Sequence, residues 1–558
     1  MAMSGGLAGR VNENNSKWWV LAAACFALFM AILDNLVVNV ALPTISEDFS
    51  PTPTQIQWIV SAYTLIFASL QITAGGLGDR LGRKRFFLFG VAVFTTTSAL
   101  AALVQNTEWL IVARAVQGFG AAFIMPLSLS LISAAFPPEE RGKALGIWSA
   151  VSMSGLAFGP IVGGFIVENF AWQWIFLINV PIGITAFLVT SAVVRESRDE
   201  SGHVATDIPG TVLVTGAIAS LTYGLIEAGE RGWGDSLILS SFVLSAILFV
   251  SFVFVESRTE KPMVPLRFFK SSTFTAANLD AFAVSFFISG IAFSMTMYFQ
   301  NVHGYSPMKN GFTMIPMVVT MMAFAPVSGS LVNRIGTSRL ISLGMLIAGG
   351  AAFMYLRTSA NGTFLDVLPA MIMMGFGFAL IFAPMTTAVL NSVESDKSGI
   401  ASAVNGAVRE TGFAFGVALL GTIMNRTYKD HFASSDQVQS LRESSGGGEN
   451  PVNALISFVG SGFNFAGRVI ENPQGFPEQI QQLVAAVPEG ARRSLVDASS
   501  VAFVEGMHRS FIITGIAIIV VAVGSYFMIN DRVAETEEPD PAATEVETRS
   551  GIAAAVGE

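Results

Sequence analysis

Asp34, Arg114, Asp280 and Arg409 each interrupt a long apolar segment of this sequence, and few other side chains there could do chemistry. A carboxyl removed from water favours its neutral, protonated form, whereas a nearby guanidinium favours the ionised one. An acid and an arginine held together can therefore take up and release a proton as their surroundings change. Arginine within an apolar span costs several kcal/mol unless paired or hydrated, so it normally faces a partner or a cavity. In Leu110-x-x-x-Arg114-x-x-Gln117-Gly118, Arg114, Gln117 and Gly118 share a helix face through i, i+3, i+4 spacing. Asn405 and Gly412 lie on the Arg409 face, while Glu410 points roughly 100° away. Asn39 follows Asp34 by five residues.

Small residues form a second pattern. Gly155-x-x-x-Gly159-Pro160-x-x-Gly163-Gly164 carries glycines at i, i+4 and i+8, a stripe on which another helix can pack closely. Pro160 removes a backbone hydrogen bond and can bend the segment there. With a matching stripe at Gly412 and Gly416, this reads as a hinge at a moving interface. Nine methionines (Met314, Met317, Met321, Met322, Met345, Met371, Met373, Met374 and Met385) suit either an adaptable binding surface or plain core filling.

The elements that must position these groups are membrane-spanning helices. Charged residues make up 13% of the 558, and 52% are hydrophobic. The apolar residues lie in uncharged runs near or above the ~18 that a spanning helix needs. A soluble enzyme is thereby excluded. The single cysteine, Cys25, forms no intramolecular disulfide, and the four histidines show no metal-binding spacing. No phosphate-binding Gly-x-x-x-x-Gly-Lys-Ser/Thr loop occurs. No cofactor, metal or nucleic-acid partner is expected. The net charge of −9 comes mostly from residues 531–558, eight acids against two arginines.

The apolar pattern predicts an all-α polytopic membrane protein of fourteen spans. Their segments are about 18–42, 57–75, 86–103, 109–132, 145–167, 174–194, 208–225, 237–255, 274–299, 311–332, 340–356, 365–390, 400–424 and 510–529. With the N-terminus inside, the short inner loops hold 15 Lys+Arg and the short outer loops 3, so both termini are expected in the cytoplasm. Asp34 then lies ~12 Å and Arg114 ~8 Å from the outer ends of their helices, at similar depth. Gly75-Gly76-Leu77-Gly78-Asp79-Arg80-Leu81-Gly82-Arg83 returns in degenerate form at 329–337. The offset of eight helices fits two six-helix bundles separated by a two-helix insert. The expected division is a cytoplasmic segment 1–17, a first bundle 18–194, a linker with two inserted helices 195–270, a second bundle 271–529 and an acidic cytoplasmic tail 530–558. The second bundle includes a long extracytoplasmic loop, 426–508. Its apolar stretch 454–466 is too short to cross ~30 Å of hydrocarbon as a further span.

Four of these segments, 75–84, 110–122, 155–164 and 33–43, resemble the signature motifs of the major facilitator superfamily, in its fourteen-helix drug/proton antiporter branch. Trp172-Gln173-Trp174-Ile175-Phe176-Leu177-Ile178-Asn179-Val180-Pro181, Asp207-x-Pro209-Gly210 and Tyr298-x-Gln300 leading to Gly304-Tyr305-Ser306-Pro307 are similar too. Leu36 stands where the family usually has threonine, Gln173 where it often has arginine, and Asn333 in place of an acid, which bears on whether the cytoplasmic gate is symmetric. The resemblance implies a proton-driven exporter of amphipathic compounds in a bacterial cytoplasmic membrane, and a monomer is expected. Asp79, Arg80, Arg83 and Lys84 would close the cytoplasmic gate while the bundles rock. Asp34 is expected to bind the coupling proton, with Arg114 modulating it. Asp280, Asn39, Gln117, Asn405 and Arg409 are the expected substrate contacts, with Asp280 attracting cations or else pairing with Arg409. The alternatives are export of a dedicated metabolite, lipid, siderophore or antibiotic, and a receptor or scaffold that does not transport.

Overall fold

The computed structural model describes residues 13–49, 53–198, 207–259, 262, 264–394, 397–445, 450–460, 470 and 478–530. The described chain is helical. The first group comprises α1 (Glu13–Phe49), α2 (Pro53–Leu81), α3 (Arg83–Ala101), α4 (Thr107–Ala135), α5 (Pro138–Asn169), α6 (Trp174–Leu177) and α7 (Asn179–Val193). A hairpin, α8 (Ile208–Arg231) and α9 (Ser236–Glu256), follows it. The second group holds α10 (Ser272–Met297), α11 (Pro307–Ile335), α12 (Thr337–Met354), α13 (Phe364–Asn391) and α14 (Ser398–Ser434). After the short helices α15 (Asp436–Ser444), α16 (Pro451–Gly460) and α17 (Glu478–Ala486), α18 (Glu489–Met528) completes that group. Side chains cap several of these helices, satisfying the orphan amides of a first turn. Asn106 accepts from the Trp109 N–H at 3.0 Å before α4, and Asp235 from the Leu237 N–H at 2.9 Å before α9.

All fourteen expected segments are helical. Twelve of the described helices are long and apolar enough to cross a membrane, two fewer than expected. The two outside that set are α3, which opens on Arg83-Lys84-Arg85, and α5, several of whose side chains lie outside the described residues.

The repeat is visible in the backbone. Gly82 (φ 126°) separates α2 from α3 and Gly336 (φ 94°) separates α11 from α12, both in a region that disfavours residues with a Cβ. The glycine stripes are related in the same way. A Cβ at Gly155 would lie 2.6 Å from Ile32 Cγ2, one at Gly159 2.6 Å from Leu36 Cβ, and one at Gly163 3.2 Å from Val40 Cβ. Gly412 and Gly416 likewise meet the Phe282 and Phe286 carbonyl oxygens, at 2.5 and 2.3 Å. These stripes therefore join α5 to α1 and α14 to α10 inside each half. They are not the moving interface expected of Gly155, Gly159 and Gly163. That contact uses other residues of α5. A Cβ at Gly142 would sit 2.5 Å from the Gly329 carbonyl oxygen, one at Gly146 2.6 Å from that of Ala325, and one at Gly164 3.0 Å from Met308 Cβ.

The segment expected as a long loop is largely helical among its described residues. α14 has 37 residues and α18 has 40, or ~56 and ~60 Å at 1.5 Å per residue, well beyond a ~30 Å hydrocarbon layer. The last helix begins at Glu489, not near 510. The extensions of α14 and α18 hold α15 and α16 around a small apolar core of Phe432, Leu455, Ile456, Val459 and Leu495. Within it the Tyr428 hydroxyl donates to the Val459 carbonyl (3.0 Å) and lies 2.9 Å from Ser499 Oγ. Helix α16, with ten residues, packs here and is too short to form another span.

Candidate functional site

Helix periodicity turns Asp34 away from its neighbours Ile32 and Asn35 and into the space between α1, α4 and α7. There the carboxylate is 1% exposed and forms an ion pair with Arg114 Nη1, which is wholly buried. Asn179 Nδ2 donates to Asp34 Oδ1 at 2.7 Å and Gln117 Nε2 to the same oxygen at 3.3 Å. Arg114 also donates from Nη1 to Gln117 Oε1 (3.0 Å) and from Nε to the Ile59 carbonyl (3.2 Å). Asn179 continues to Ser98 Oγ at 3.0 Å. The site is thus a five-helix junction of hydrogen-bonded groups in a dry interior, where each interaction is strong and each lost partner costly. Arg114 Nη2 and Asn179 Oδ1 find no partner among the described residues.

Tyr63 connects this cluster to open space. Its ring lies 4.5 Å from the Arg114 guanidinium carbon, and its hydroxyl donates to the Ala31 carbonyl at 3.0 Å. The same side chain lines a cavity of about 250 Å³ between the two halves. From the first half Ile32, Asn35 and Thr64 reach it. From the second come Ser285, Phe382, Arg409, Glu410 and Phe413. Arg409 stands 5.1 Å from the centre of the Phe382 ring, and no ion pair among the described residues engages Glu410. Both charged residues of this pair line the same cavity despite their roughly 100° separation around α14.

Several expected contacts lie elsewhere. Asp280 is buried against α18, where Ser525 Oγ donates to its carboxylate, and it neither lines the central cavity nor forms an ion pair with Arg409. Asn405 donates to Asn278 Oδ1 (3.3 Å) inside the second half, and Gln117 is taken up by the Asp34 cluster. The side chains of Asn39 and Pro160 lie outside the described residues. Of the expected substrate contacts, Arg409 reaches the cavity. Three participants went unrecognised in the sequence: Tyr63, Asn179 and Glu410. Asn179 was discoverable, as an amide within an apolar run and inside a quoted motif.

At the end of α2, Asp79 accepts from Arg83 Nε (2.7 Å) and, across the halves, from the Ile400 N–H in the first turn of α14 (2.9 Å). The residue before α14 is Lys397, whose side chain cannot cap it, so Asp79 satisfies an orphan amide and meets the positive helix end. Arg80 reaches the Pro262 carbonyl at 3.4 Å. Lys84 departs from the expected gate. It donates to the Ser191 carbonyl (2.8 Å), within its own half, where Glu196 receives the Lys84 and Arg85 N–H groups at 3.0 and 3.1 Å.

Residues 24–417 match the family described as Major Facilitator Superfamily. The chain belongs to that superfamily. It is 33% identical over 427 residues to a tetracenomycin C resistance and export protein of Streptomyces glaucescens, covering 76% of this chain and 78% of the relative. It is 34% identical over 412 residues to the multidrug resistance protein Stp of Mycobacterium tuberculosis, covering 74% and 76%. A crystal structure of a double-tryptophan variant of XylE shares the fold at 14% identity. It has a TM-score of 0.59 and covers 93% of this chain and 97% of that one. This major facilitator protein is a multi-span helical membrane transporter and not an enzyme, acting on small substrates within a lipid bilayer.

Proposed function

We propose that this transporter exports amphipathic, cationic organic compounds across the bacterial cytoplasmic membrane in exchange for protons, by alternating access. The observation that carries the reading is the buried Asp34–Arg114 pair, joined through Tyr63 to a cavity that also contains Glu410. Asp34 exchanges the proton. Arg114, Gln117 and Asn179 hold its carboxylate, so any shift of α4 or α7 against α1 changes the balance between its charged and neutral forms. Glu410 attracts the cation at the cavity, where low dielectric strengthens the attraction, and the phenylalanines receive its apolar part. Asp280 keeps a structural contact with α18. Fourteen spans follow if α3 and α5 also cross. Their lengths of 19 and 32 residues allow it, and α5 lies between α1 and α11, both of which qualify as spans. The Asp79 contact to α14 closes one end of the path while the halves are in this arrangement.

Purified protein in vesicles with an imposed proton gradient tests this reading. Uphill movement of a lipophilic cation dependent on that gradient is expected, with Glu410→Gln weakening cations selectively and sparing uncharged substrates. Transport indifferent to the gradient would refute the coupling, and equal loss for both substrate kinds would refute the role of Glu410. A second reading, export of one dedicated antibiotic, is favoured by the similarity to the tetracenomycin C export protein. A resistance profile confined to one compound, across a broad panel, would select it.

A further inference from the structure

The α8–α9 hairpin borders a second and larger cavity, of about 680 Å³ and partly open to the outside, that the transport cycle described above does not use. Val214 and Ala217 of α8 and Phe249 of α9 form one wall. Ile72 of α2 and Ala407 and Val408 of α14 form the other, so both halves of the protein border it. Among the described residues the lining contains no charge. Its two hydroxyl groups are satisfied within their helices or by a neighbour: Ser245 donates to the Ala217 carbonyl at 2.8 Å and Thr411 to that of Ala407 at 2.8 Å. A ligand with polar groups would lose its water here and gain nothing in exchange. A hydrocarbon chain would lose nothing.

The surroundings point the same way. The outer face of α9 exposes Val243, Ile247, Val250 and Phe254, an apolar surface suited to lipid and continuous with the helix that walls the cavity. At one end, Leu266 and Phe269 of the five-residue 3-10 helix Leu266–Lys270 line the cavity, and that helix also carries the exposed Arg267 and Lys270. Arg267 is shared with Glu394 at 3.0 Å, whereas no ion pair among the described residues engages Lys270. Apolar lining beside basic side chains matches one molecule of the bilayer.

We propose that this cavity is a phospholipid site. One acyl chain lies between the hairpin and the α2–α14 wall, with the phosphate near Lys270. The hairpin is tied to both halves, by Thr73 and Thr215 (3.1 Å) and the stacked Trp58 and Tyr223 on one side and by Trp233 Nε1 to Thr422 Oγ1 (2.7 Å) on the other. A chain in that space fills the volume that opens or closes as α2 and α14 move apart, which makes the bilayer a component of the rocking unit.

The test uses the full chain in nanodiscs containing a phospholipid with a mid-chain photoreactive diazirine, followed by digestion and mass spectrometry. Adducts are expected on Val214, Ala217 and Val408, besides those on the lipid-facing Val250. Ala217→Trp, and independently Ala246→Trp, should lower the inward-facing adducts by about tenfold, as a modest binding penalty implies, with Val250 labelling unchanged. Thermal unfolding of both variants reports that the fold is retained. Adducts limited to Val250 in the unaltered protein, or inward adducts unchanged by both tryptophans, would overturn the proposal. So would loss of the inward adducts on adding excess tetraphenylphosphonium, which would make the space a substrate pocket. Because the readout is labelling without transport, it stands or falls separately from proton coupling.

Discussion

Replacing Asp34 by asparagine removes the acid while nearly preserving its shape, and the consequences can be followed atom by atom. Arg114 keeps Gln117 Oε1 at 3.0 Å, the Ile59 carbonyl at 3.2 Å and the Tyr63 ring at 4.5 Å, but loses its counter-charge in a site with no access to water. Removing one member of a buried ion pair costs about 3–5 kcal/mol. Asn179 and Gln117 can still donate to the amide oxygen, so the expected loss lies near the lower end of that range. The double variant Asp34→Asn/Arg114→Gln removes both charges and should recover much of the stability. Neither variant can exchange a proton at this position. One-to-one exchange of a proton for a monovalent cation moves no net charge, so the pH difference drives it, and ~1.7 units, about 2.3 kcal/mol, would sustain roughly a fifty-fold substrate gradient. The unaltered protein should approach such a gradient, whereas both variants should settle near equal concentrations and still catalyse substrate counterflow. Gradient-driven accumulation by well-folded Asp34→Asn protein would refute the assignment.

The gate and the glycine stripe allow two further tests. Asp79→Ala removes the acceptor of the Ile400 N–H and the carboxylate to which Arg83 Nε donates, a loss of about 0.5–2 kcal/mol for the cap alone. In a Cys25→Ser background, labelling of Lys397→Cys by an impermeant maleimide should rise with the Asp79 change, and unchanged labelling would contradict closure by Asp79. Gly159→Leu drives a side chain into Leu36, already 2.6 Å from an added Cβ, whereas Gly524 has nothing within 4 Å. Overpacking of this kind costs typically 1–3 kcal/mol, so thermal stability should fall for Gly159→Leu and hold for Gly524→Leu. Equal behaviour of the two would show that α5 and α1 can separate freely.

Much of this protein was legible one segment at a time, because hydrophobicity and helix periodicity are local properties of a chain. The fourteen apolar segments, the repeat about Gly82 and Gly336, and the shared face of Arg114 and Gln117 need no knowledge of neighbours. The partnership of Asp34 with Arg114 followed from similar depth, since few buried charges compete for one another in an apolar interior. Sequence alone also raised α3 and α5 as spans, although the three basic residues that open α3 weaken the hydropathy signal on which span assignment rests.

What remained hidden is the choice among possible partners. Gly155, Gly159 and Gly163 specify close packing, but a glycine stripe carries no information about which helix fills it. Only the folded arrangement assigns it to Ile32, Leu36 and Val40 within the same half. Asp280 and Glu410 are both acids in apolar helices. One faces Ser525 and the other a shared cavity, because each direction is set by helices far away in the chain. The same holds for Asp79, whose acceptor role depends on the first turn of a helix more than three hundred residues later. Local patterns determine which segments become helices and which faces are unusual. Only the packing of distant helices against one another decides what each unusual face meets, and therefore which charges can share a site.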